Sequence, residues 1–256
     1  MVQRAIPRPQ AMQAVFFDVG FTLLFADPGE VDIAHTACAD RGHAVPRECL
    51  EQHAPAASTA LRRLAKANPD TWSDERAIQA AWISFFTHLI RPCLAGVPAR
   101  EVDECARAAF AIFDEAQSYA LYPDALPVLT ALRQRGLKLG VISDWGIGLG
   151  LILRHHDLIK YFDFAAISAS VRLAKPNPAL FETALRRADV IPDYAVHIGD
   201  SYVLDVLGAR AAGITPVLLD RSGRLSENDV DCLLVHDLYG LLDLLHVARP
   251  PATVVP

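Results

Sequence analysis

Short apolar runs alternate with stretches of helical periodicity through the second half of the chain. The apolar runs end at polar residues and lie at residues 138–143, 163–168, 195–200, 215–220 and 232–237. Between and after them, apolar residues recur three and four positions apart at residues 125–136, 149–159, 178–189, 203–213 and 238–248. Runs that are apolar on both faces are typical of buried parallel strands, and the intervening helices supply the crossovers. The pattern predicts an α/β fold with a doubly wound parallel sheet.

A first strand is predicted much earlier, at residues 14–19. Four apolar residues lead to the carboxylate of Asp18, and the chain then turns through Gly20 toward Thr22. The carboxyl ends of strands in open parallel sheets face the crevice where ligands bind, so Asp18 is a candidate for chemistry. This stretch alone is equally consistent with an Asp18 that only caps the following turn.

Between the first strand and the later ones, the periodicity is helical throughout. Residues 33–43, 58–68, 80–90 and 105–116 place apolar residues three and four apart, and prolines stand near the ends of these stretches. The segment is long enough to bury a small core of its own. We therefore predict a sheet domain formed by residues 1–26 and 119–256, with a helical domain inserted at residues 27–118.

Composition and charge narrow the class of partner. The chain has 256 residues and a formal net charge of -6, and it shows no basic stripe. Proteins that bind nucleic acids or anionic membranes usually carry such a stripe, so neither partner is expected. The chain shows neither an apolar segment of membrane-spanning length nor a secretory signal pattern, which predicts a cytoplasmic protein acting on a small molecule.

The cysteines give no pattern of their own. They are five in number, and none belongs to a CxxC motif. An odd count without paired spacing argues against a disulfide framework and against a zinc site. We expect incidental thiols at Cys38, Cys49, Cys93, Cys105 and Cys232.

Polar residues also stand at two later strand ends and in one loop of the predicted sheet domain. Ser143 and Asp144 end one strand, Asp200 ends another, and Lys175 stands just before a helix between them. Because these strand ends converge, Asp18 and Asp200 are expected to lie close together and to repel each other unless a cation or Lys175 neutralises them. Mg²⁺ is a suitable cation, since it binds carboxylates, backbone carbonyls, waters and substrate phosphate.

Four segments in this order resemble the motifs of the haloacid dehalogenase superfamily. They are FFDVGFT, VISD, LAKPNP and HIGDSYVLD. Together they span the sheet domain, and the helical insert resembles the superfamily's helical cap of the C1 type. One such motif alone is weak, whereas four in the right order are a strong signal. The resemblance implies a Rossmann-like core and a hydrolase.

The resemblance also implies a nucleophile and a metal site. Asp18 would attack an electrophilic phosphorus and form an aspartyl-phosphate. Asp18, the backbone carbonyl of Gly20 and Asp200 would hold Mg²⁺. Asp205 would support the orientation of Asp200 from behind.

The other motif positions would bind the substrate's phosphoryl group. Ser143 and Asp144 would hold the phosphoryl group. Lys175 would neutralise two negative charges, that of Asp18 and that of the phosphoryl oxygens. Both Ser143 and Lys175 thereby take part in catalysis. Further supporting positions would be Thr22 and Ser201.

Gly20 is a departure from the family pattern. Phosphatases of the superfamily usually carry a second Asp there, which serves as general acid and base, and glycine cannot transfer a proton. Members that act on carbon–halogen or carbon–phosphorus bonds also lack that Asp, but the segment GDSYVLD resembles the metal-dependent phosphoryl branch. Three functions follow: a Mg²⁺-dependent hydrolase of a small phosphorylated metabolite, a metal-independent dehalogenase, and a non-catalytic protein that binds a phosphorylated ligand.

Overall fold

A computed structural model describes residues 5–250 of the chain. By their internal contacts, these residues form two compact units. The first unit, here called the sheet unit, contains the chain up to Phe25, Leu121–Asp144 and the chain from His156 onward. The second, here called the helical unit, contains Ala26–Ala120 and Trp145–His155.

Within residues 5–250, eight strands form two sheets. In chain order they are β1 (Ala14–Phe17), β2 (Leu24–Ala26), β3 (Tyr119–Leu121), β4 (Lys138–Ser143), β5 (Phe164–Ile167), β6 (Ala195–Gly199), β7 (Thr215–Leu219) and β8 (Leu233–Val235). The larger sheet has the order β5-β4-β1-β6-β7-β8, and all of its strand pairs are parallel. Strands β2 and β3 pair separately.

Ten α-helices accompany the strands in the described residues. They are α1 (Glu30–Ala39), α2 (Arg47–Ala67), α3 (Glu75–Ile90), α4 (Ala99–Phe113), α5 (Ala125–Gln134), α6 (Leu149–His155), α7 (Ser168–Val171), α8 (Pro178–Ala188), α9 (Leu207–Ala211) and α10 (Leu238–Leu244). Within residues 5–250, none of these helices combines the length and the apolar character needed to cross a bilayer.

The predicted α/β fold is confirmed. All four residues of β1 are buried, and Phe17 is in register with Val141 of β4 and Ile198 of β6. The strand order reverses at β1, so right-handed crossovers place helices on both faces of the sheet. Consistent with this, α5 contacts α10 and α8 contacts α9. The switch point of the sheet therefore lies at the carboxyl end of β1, where Asp18 follows.

The helical unit contains one segment that the sequence assigned to the sheet domain. Residues 145–155 group with the helices, whereas the predicted insert covered only residues 27–118. The backbone N–H of Ile147 donates to the Glu75 carboxylate at 2.8 Å, and the Trp145 ring meets the Tyr119 ring edge-on with 5.3 Å between centroids. These partners are far away in sequence, so no local pattern could have assigned the segment.

The expectation of five incidental thiols is wrong for two cysteines. Cys49, in the first turn of α2, is disulfide-bonded to Cys93, which ends the short 3-10 turn after α3. The packing of α2 on α3 brings them together across 44 residues of sequence, and such a separation leaves no spacing motif. Cys38, Cys105 and Cys232 are buried free thiols.

Candidate active site

The turn after β1 positions the candidate nucleophile. The backbone N–H of Asp18 donates to the carbonyl of Ile198 at 2.9 Å, which extends the strand pairing by one residue. The chain then turns sharply, with the Leu23 N–H donating to the Val19 carbonyl at 2.8 Å. This turn brings Thr22 back, so that its hydroxyl donates to Asp18 Oδ2 at 3.3 Å. Asp18 is therefore held at the strand end with only 6% of its surface exposed.

Two further motif residues converge on the other oxygen of Asp18. Ser143, at the end of the adjacent strand β4, donates from its hydroxyl to Oδ1 at 3.1 Å, and Lys175 Nζ donates to the same atom at 2.7 Å. The backbone N–H of Lys175 donates to Asp144 Oδ1 at 2.9 Å, which fixes the lysine's loop to the end of β4. The structure thus brings together residues that stand up to 157 positions apart in sequence.

Asp205 is the second partner of the lysine. Lys175 Nζ donates to Asp205 Oδ1 at 2.8 Å, and the backbone N–H of Ser201 donates to Asp205 Oδ2 at 3.0 Å. The sequence assigned Asp205 to the orientation of Asp200, but these contacts show that it anchors Lys175. Ser201 supports the same turn, because its hydroxyl accepts the Leu204 N–H at 3.2 Å.

His197 is a member of this network that the sequence analysis missed. It is fully buried in β6, and its Nε2 lies 2.9 Å from Asp205 Oδ1. Its Nδ1 has no hydrogen-bond partner among residues 5–250. A histidine inside an otherwise apolar strand was the available signal, since a buried polar side chain requires a partner.

Three carboxylates face this one ammonium group. Oxygen atoms of Asp18, Asp200 and Asp205 all lie within 4.8 Å of one another, and Asp200 is the exposed member. Because Lys175 contributes a single positive charge, negative charge is in excess. An all-oxygen donor set with this charge suits a hard divalent cation. Gly20 lies in the same turn as Thr22 and forms an isolated β-bridge with Leu24.

The pKa shifts at the site reflect burial together with the neighbouring charges. Burial raises the pKa of Asp18 despite the neighbouring ammonium. Asp200 keeps an exposed surface, but desolvation by the surrounding protein atoms, together with the charges of Asp18 and Asp205, raises its pKa to about 7. Burial alone would raise the pKa of Asp205, but Lys175 and His197 lower it below its ordinary value. Burial opposes the charge on Lys175, yet Asp18 and Asp205 raise its pKa, so the ammonium stays protonated.

Asp144 is buried with incomplete hydrogen bonding. Its Oδ1 accepts the Lys175 N–H, but within the described chain its buried Oδ2 has no hydrogen-bond partner. Burial raises the pKa of this carboxyl to about 7, although Lys175 opposes the shift. The ionised form is therefore disfavoured in the folded state. The free energy of unfolding falls as the pH rises from 3.8, the ordinary pKa of this carboxyl, toward its pKa of about 7 in the fold.

We expect Asp144→Asn to remove this pH-dependent cost. The amide keeps an oxygen for the Lys175 N–H and carries no charge, so the free energy of unfolding should rise by about 1–3 kcal/mol at about pH 8. At about pH 4, where Asp144 is protonated in the fold, the substitution should change little. Denaturant unfolding of both proteins at the two pH values checks the prediction, and an equal change at both would contradict it.

Gly199 gives the Asp205 carboxylate room to approach the backbone of β6. A Cβ added at Gly199 would stand 2.2 Å from Asp205 Cγ and 2.4 Å from Asp205 Oδ2. Asp205 is fully buried and held by Lys175 and His197, so it has little freedom to move aside. The glycine is therefore a requirement of the site's geometry.

We expect Gly199→Ala to displace Asp205 and to uncouple it from Lys175. The physical cause is overpacking at a buried, charged position, which costs about 1–3 kcal/mol or more. Activity should fall together with stability. Gly150→Ala is the matched control, because a Cβ there meets nothing within 4 Å. Equal behaviour of the two variants in thermal unfolding and turnover would refute the prediction.

A second ion pair braces the nucleophile's turn from the side of β7. The guanidinium of Arg221 donates to both oxygens of Asp124, at 2.9 and 3.0 Å, and to the carbonyl of Thr22 at 2.7 Å. It also stacks on the Tyr122 ring, with 3.7 Å from Cζ to the centroid. Neither charged residue was predicted, because they stand 97 positions apart and outside any motif.

Comparison with known proteins agrees with this geometry. The family described as haloacid dehalogenase-like hydrolase matches residues 12–213. The chain is 35% identical over 178 residues to haloacid dehalogenase-like hydrolase domain-containing protein 3 of Mus musculus, covering 66% of this chain and 70% of that protein. It is 37% identical over 157 residues to phosphoserine phosphatase of Thermus thermophilus, covering 57% of this chain and 59% of that protein.

Solved structures extend the comparison to nearly the whole chain. The 2-haloacid dehalogenase of Pseudomonas syringae aligns with a TM-score of 0.61 at 26% identity, covering 92% of this chain and 98% of that one. Haloacid dehalogenase-like hydrolase domain-containing protein 3 of Danio rerio, Xenopus laevis and Bos taurus also matches, but the matched part covers only 48 to 59% of those proteins' length. The family match nevertheless includes all four motif segments, with Asp18, Ser143 and Asp200 at strand ends and Lys175 in the loop before α8. This chain belongs to the haloacid dehalogenase-like hydrolases.

Proposed function

We propose that the protein is a Mg²⁺-dependent phosphohydrolase that acts on a small phosphorylated metabolite through Asp18. The observation that carries the proposal is the setting of this carboxylate, which receives Lys175 and Ser143 on one oxygen and Thr22 on the other. The relative named phosphoserine phosphatase supports a phosphoryl substrate. The acidic net charge, with no basic stripe, supports a small molecule over a nucleic acid.

The proposed reaction proceeds in two displacements. A carboxylate oxygen of Asp18 forms a bond to phosphorus while the bond from phosphorus to the leaving oxygen breaks, and the leaving group takes that electron pair. Water then attacks the aspartyl-phosphate, which releases inorganic phosphate and restores the carboxylate. Lys175 and the Ser143 hydroxyl hold phosphoryl oxygens during both steps, since both already point at the attacking group.

The metal site rests on the same residues. Asp18, the Gly20 carbonyl and Asp200 would hold Mg²⁺, and Asp144 would help Lys175 keep its position through the backbone contact. When bound, Mg²⁺ neutralises the excess negative charge and polarises the phosphoryl group. Asp205 holds Lys175 in place and is itself held by His197 and the Ser201 N–H.

Acid-quench trapping tests the proposal directly. The protein is mixed with Mg²⁺ and a panel of ³²P-labelled phosphate monoesters, quenched with acid, and the protein-bound label is located by peptide mapping. We expect Mg²⁺-dependent label on the peptide that contains Asp18, and no label after chelation with EDTA. Phosphate binding without label on Asp18 would overturn the proposal in favour of a non-catalytic phospholigand-binding protein.

The dehalogenase alternative keeps one observation in its favour. Gly20 stands where phosphatases of the family usually place their acid, and the chain is similar in structure to a 2-haloacid dehalogenase at 26% identity. In that reaction Asp18 attacks carbon and releases a halide. Halide release from a 2-haloacid that persists in EDTA would identify it, and Mg²⁺-dependent phosphate release would exclude it as the main activity.

Gly20 leads to a prediction about the leaving group. With no side-chain acid at this position, the leaving group must depart without a proton from it, so substrates whose leaving groups are stable anions should react fastest. We expect turnover to fall steeply as the pKa of the leaving group rises across a series of aryl and alkyl phosphates. A shallow dependence would show that another group already donates the proton.

The matching variant is Gly20→Asp. Gly20 is not among the left-handed residues of the described chain, although its neighbour Phe21 has a φ of 55°, so the backbone conformation at position 20 does not itself require glycine. We expect alkyl phosphate turnover to rise about 10- to 100-fold and the leaving-group dependence to flatten. Gly20→Asn is the control, because it adds the same volume without a transferable proton.

A further inference from the structure

The helical unit carries a cluster of soft ligand groups that the proposed function does not use. Cys49 and His53 stand four residues apart on α2 and therefore share one face of the helix. Nδ1 of His53 lies 3.8 Å from the sulfur of Cys49 and 3.9 Å from the sulfur of Cys93. Both sulfurs of the disulfide thus face one imidazole nitrogen.

Accessibility separates these cysteines from the others. Cys49, His53 and Cys93 are all half-buried, whereas Cys38, Cys105 and Cys232 are buried. A reductant or a metal ion can therefore reach the first group from solvent. The buried thiols are poor ligands by comparison, and burial raises the pKa of Cys38 to about 12.

We propose that Cys49, Cys93 and His53 form a redox-gated metal site, which binds a Zn²⁺-like ion when the disulfide is reduced. Two thiolates and an imidazole belong to the donor types that zinc prefers, and three protein ligands are enough to bind it. The ligand atoms of the three residues all lie within 4.8 Å of one another. Three protein ligands would leave the fourth position of a tetrahedral zinc site for water.

The chemistry balances with a reductant of the thiol or phosphine class. The reductant supplies two electrons, the sulfur–sulfur bond breaks, and each sulfur takes up a proton. Metal binding then releases both thiol protons, because thiolates are the ligands. Nδ1 of His53 lies 2.8 Å from the Cys49 carbonyl, and binding through this nitrogen replaces that contact. A small-molecule disulfide can reoxidise the site: it takes up the two electrons and leaves as two thiols, while the Cys49–Cys93 bond closes and the ion is released.

A thiol-buffered compartment, such as the predicted cytoplasm, favours the reduced form. The site is therefore a metal site under reducing conditions and a covalent link between α2 and the turn after α3 under oxidising conditions. It lies wholly within the helical unit. The inference does not depend on the proposed phosphohydrolase function.

Co²⁺ spectroscopy on the intact 256-residue chain tests the site. Metal-free protein is titrated with Co²⁺ before and after reduction with a phosphine, and the thiolate-to-cobalt charge-transfer band is recorded. We expect the band only after reduction, with one Co²⁺ bound per chain and displacement by Zn²⁺. The oxygen ligands around Asp18 and Asp200 cannot produce this band, so Co²⁺ at that site does not interfere.

Variants assign the ligands. Cys49→Ser and Cys93→Ser should abolish the band, and His53→Ala should weaken Co²⁺ binding and shift the spectrum. Cys232→Ser is the matched control and should leave the band unchanged, while circular dichroism verifies that each variant is folded. Thiol counting on denatured, unreduced protein should give three thiols, one for each free cysteine.

Three results would overturn the proposal. A reduced wild-type protein without the charge-transfer band has no such metal site. A band that survives both cysteine substitutions belongs to other thiols. Five thiols in protein that was purified aerobically would show that the disulfide does not form, and the redox gating would be wrong.

Discussion

Asp18→Asn is expected to abolish turnover while the protein stays folded. Loss of a covalent nucleophile typically costs on the order of 10⁴ to 10⁶ in rate. The amide nearly preserves the volume of the side chain, and its oxygen can still accept the hydrogen bonds from Lys175 and Ser143. Only the nucleophilic charge is deleted, so the effect should fall on chemistry.

Single-turnover kinetics and circular dichroism check this result together. The variant should give no phosphoenzyme in the acid-quench experiment, and its far-UV spectrum should match the wild type. Asp193→Asn, which changes an exposed carboxylate away from the site, is the control and should keep full activity. Turnover by Asp18→Asn at the wild-type rate would refute the assigned nucleophile.

Lys175→Ala is expected to be damaging through stability as well as activity. The lysine side chain is 4% exposed and pairs with two buried carboxylates, Asp18 and Asp205. Removing one partner of a buried ion pair leaves uncompensated charge and costs about 3–5 kcal/mol. Phosphoryl binding should weaken as well, because the substrate's negative charge loses its counterion.

Denaturant unfolding with and without Mg²⁺ measures the effect of Lys175→Ala. A divalent cation can supply part of the missing positive charge, so Mg²⁺ should recover some of the lost stability in this variant. Lys160→Ala is the control, since that lysine is exposed and pairs only with exposed Asp157 in the described residues. If Lys175→Ala lowers the free energy of unfolding no more than the control does, a group other than Lys175 neutralises Asp18 and Asp205.

The sequence predicted the sheet well because buried parallel strands are apolar on both faces. Strand β4 coincides with its prediction, and β6 ends at Gly199, one residue before the predicted end. Asp18 and Asp200 were also predicted to lie close together, because the carboxyl ends of neighbouring parallel strands share one edge, and their carboxylate oxygens lie within 4.8 Å of each other. The inference needed only strand order and direction, which local patterns convey.

Pairings between distant side chains could not be predicted in this way. Lys175 was expected to neutralise Asp200 along with Asp18, and its charge does act to lower the pKa of Asp200, but its second hydrogen-bond partner is Asp205. Asp205 reaches the lysine from a π-helical turn at Tyr202–Val206 that follows β6, and Gly199 leaves it room. Such turns have no distinct sequence pattern. The Cys49–Cys93 disulfide was missed for a related reason, since helix packing and not spacing brings its cysteines together.

The grouping of residues 145–155 with the helices has a consequence for chimeric enzymes. Exchanging the helical unit with that of a relative by grafting residues 26–120 alone would leave Ile147 and Trp145 without Glu75 and Tyr119. The exchangeable module therefore consists of two discontinuous pieces of chain. The second piece begins immediately after Asp144, so a graft that includes it also changes the residue next to the VISD segment, which is proposed to bind the phosphoryl group. A transplanted helical unit would therefore come with a change of sequence directly after Asp144.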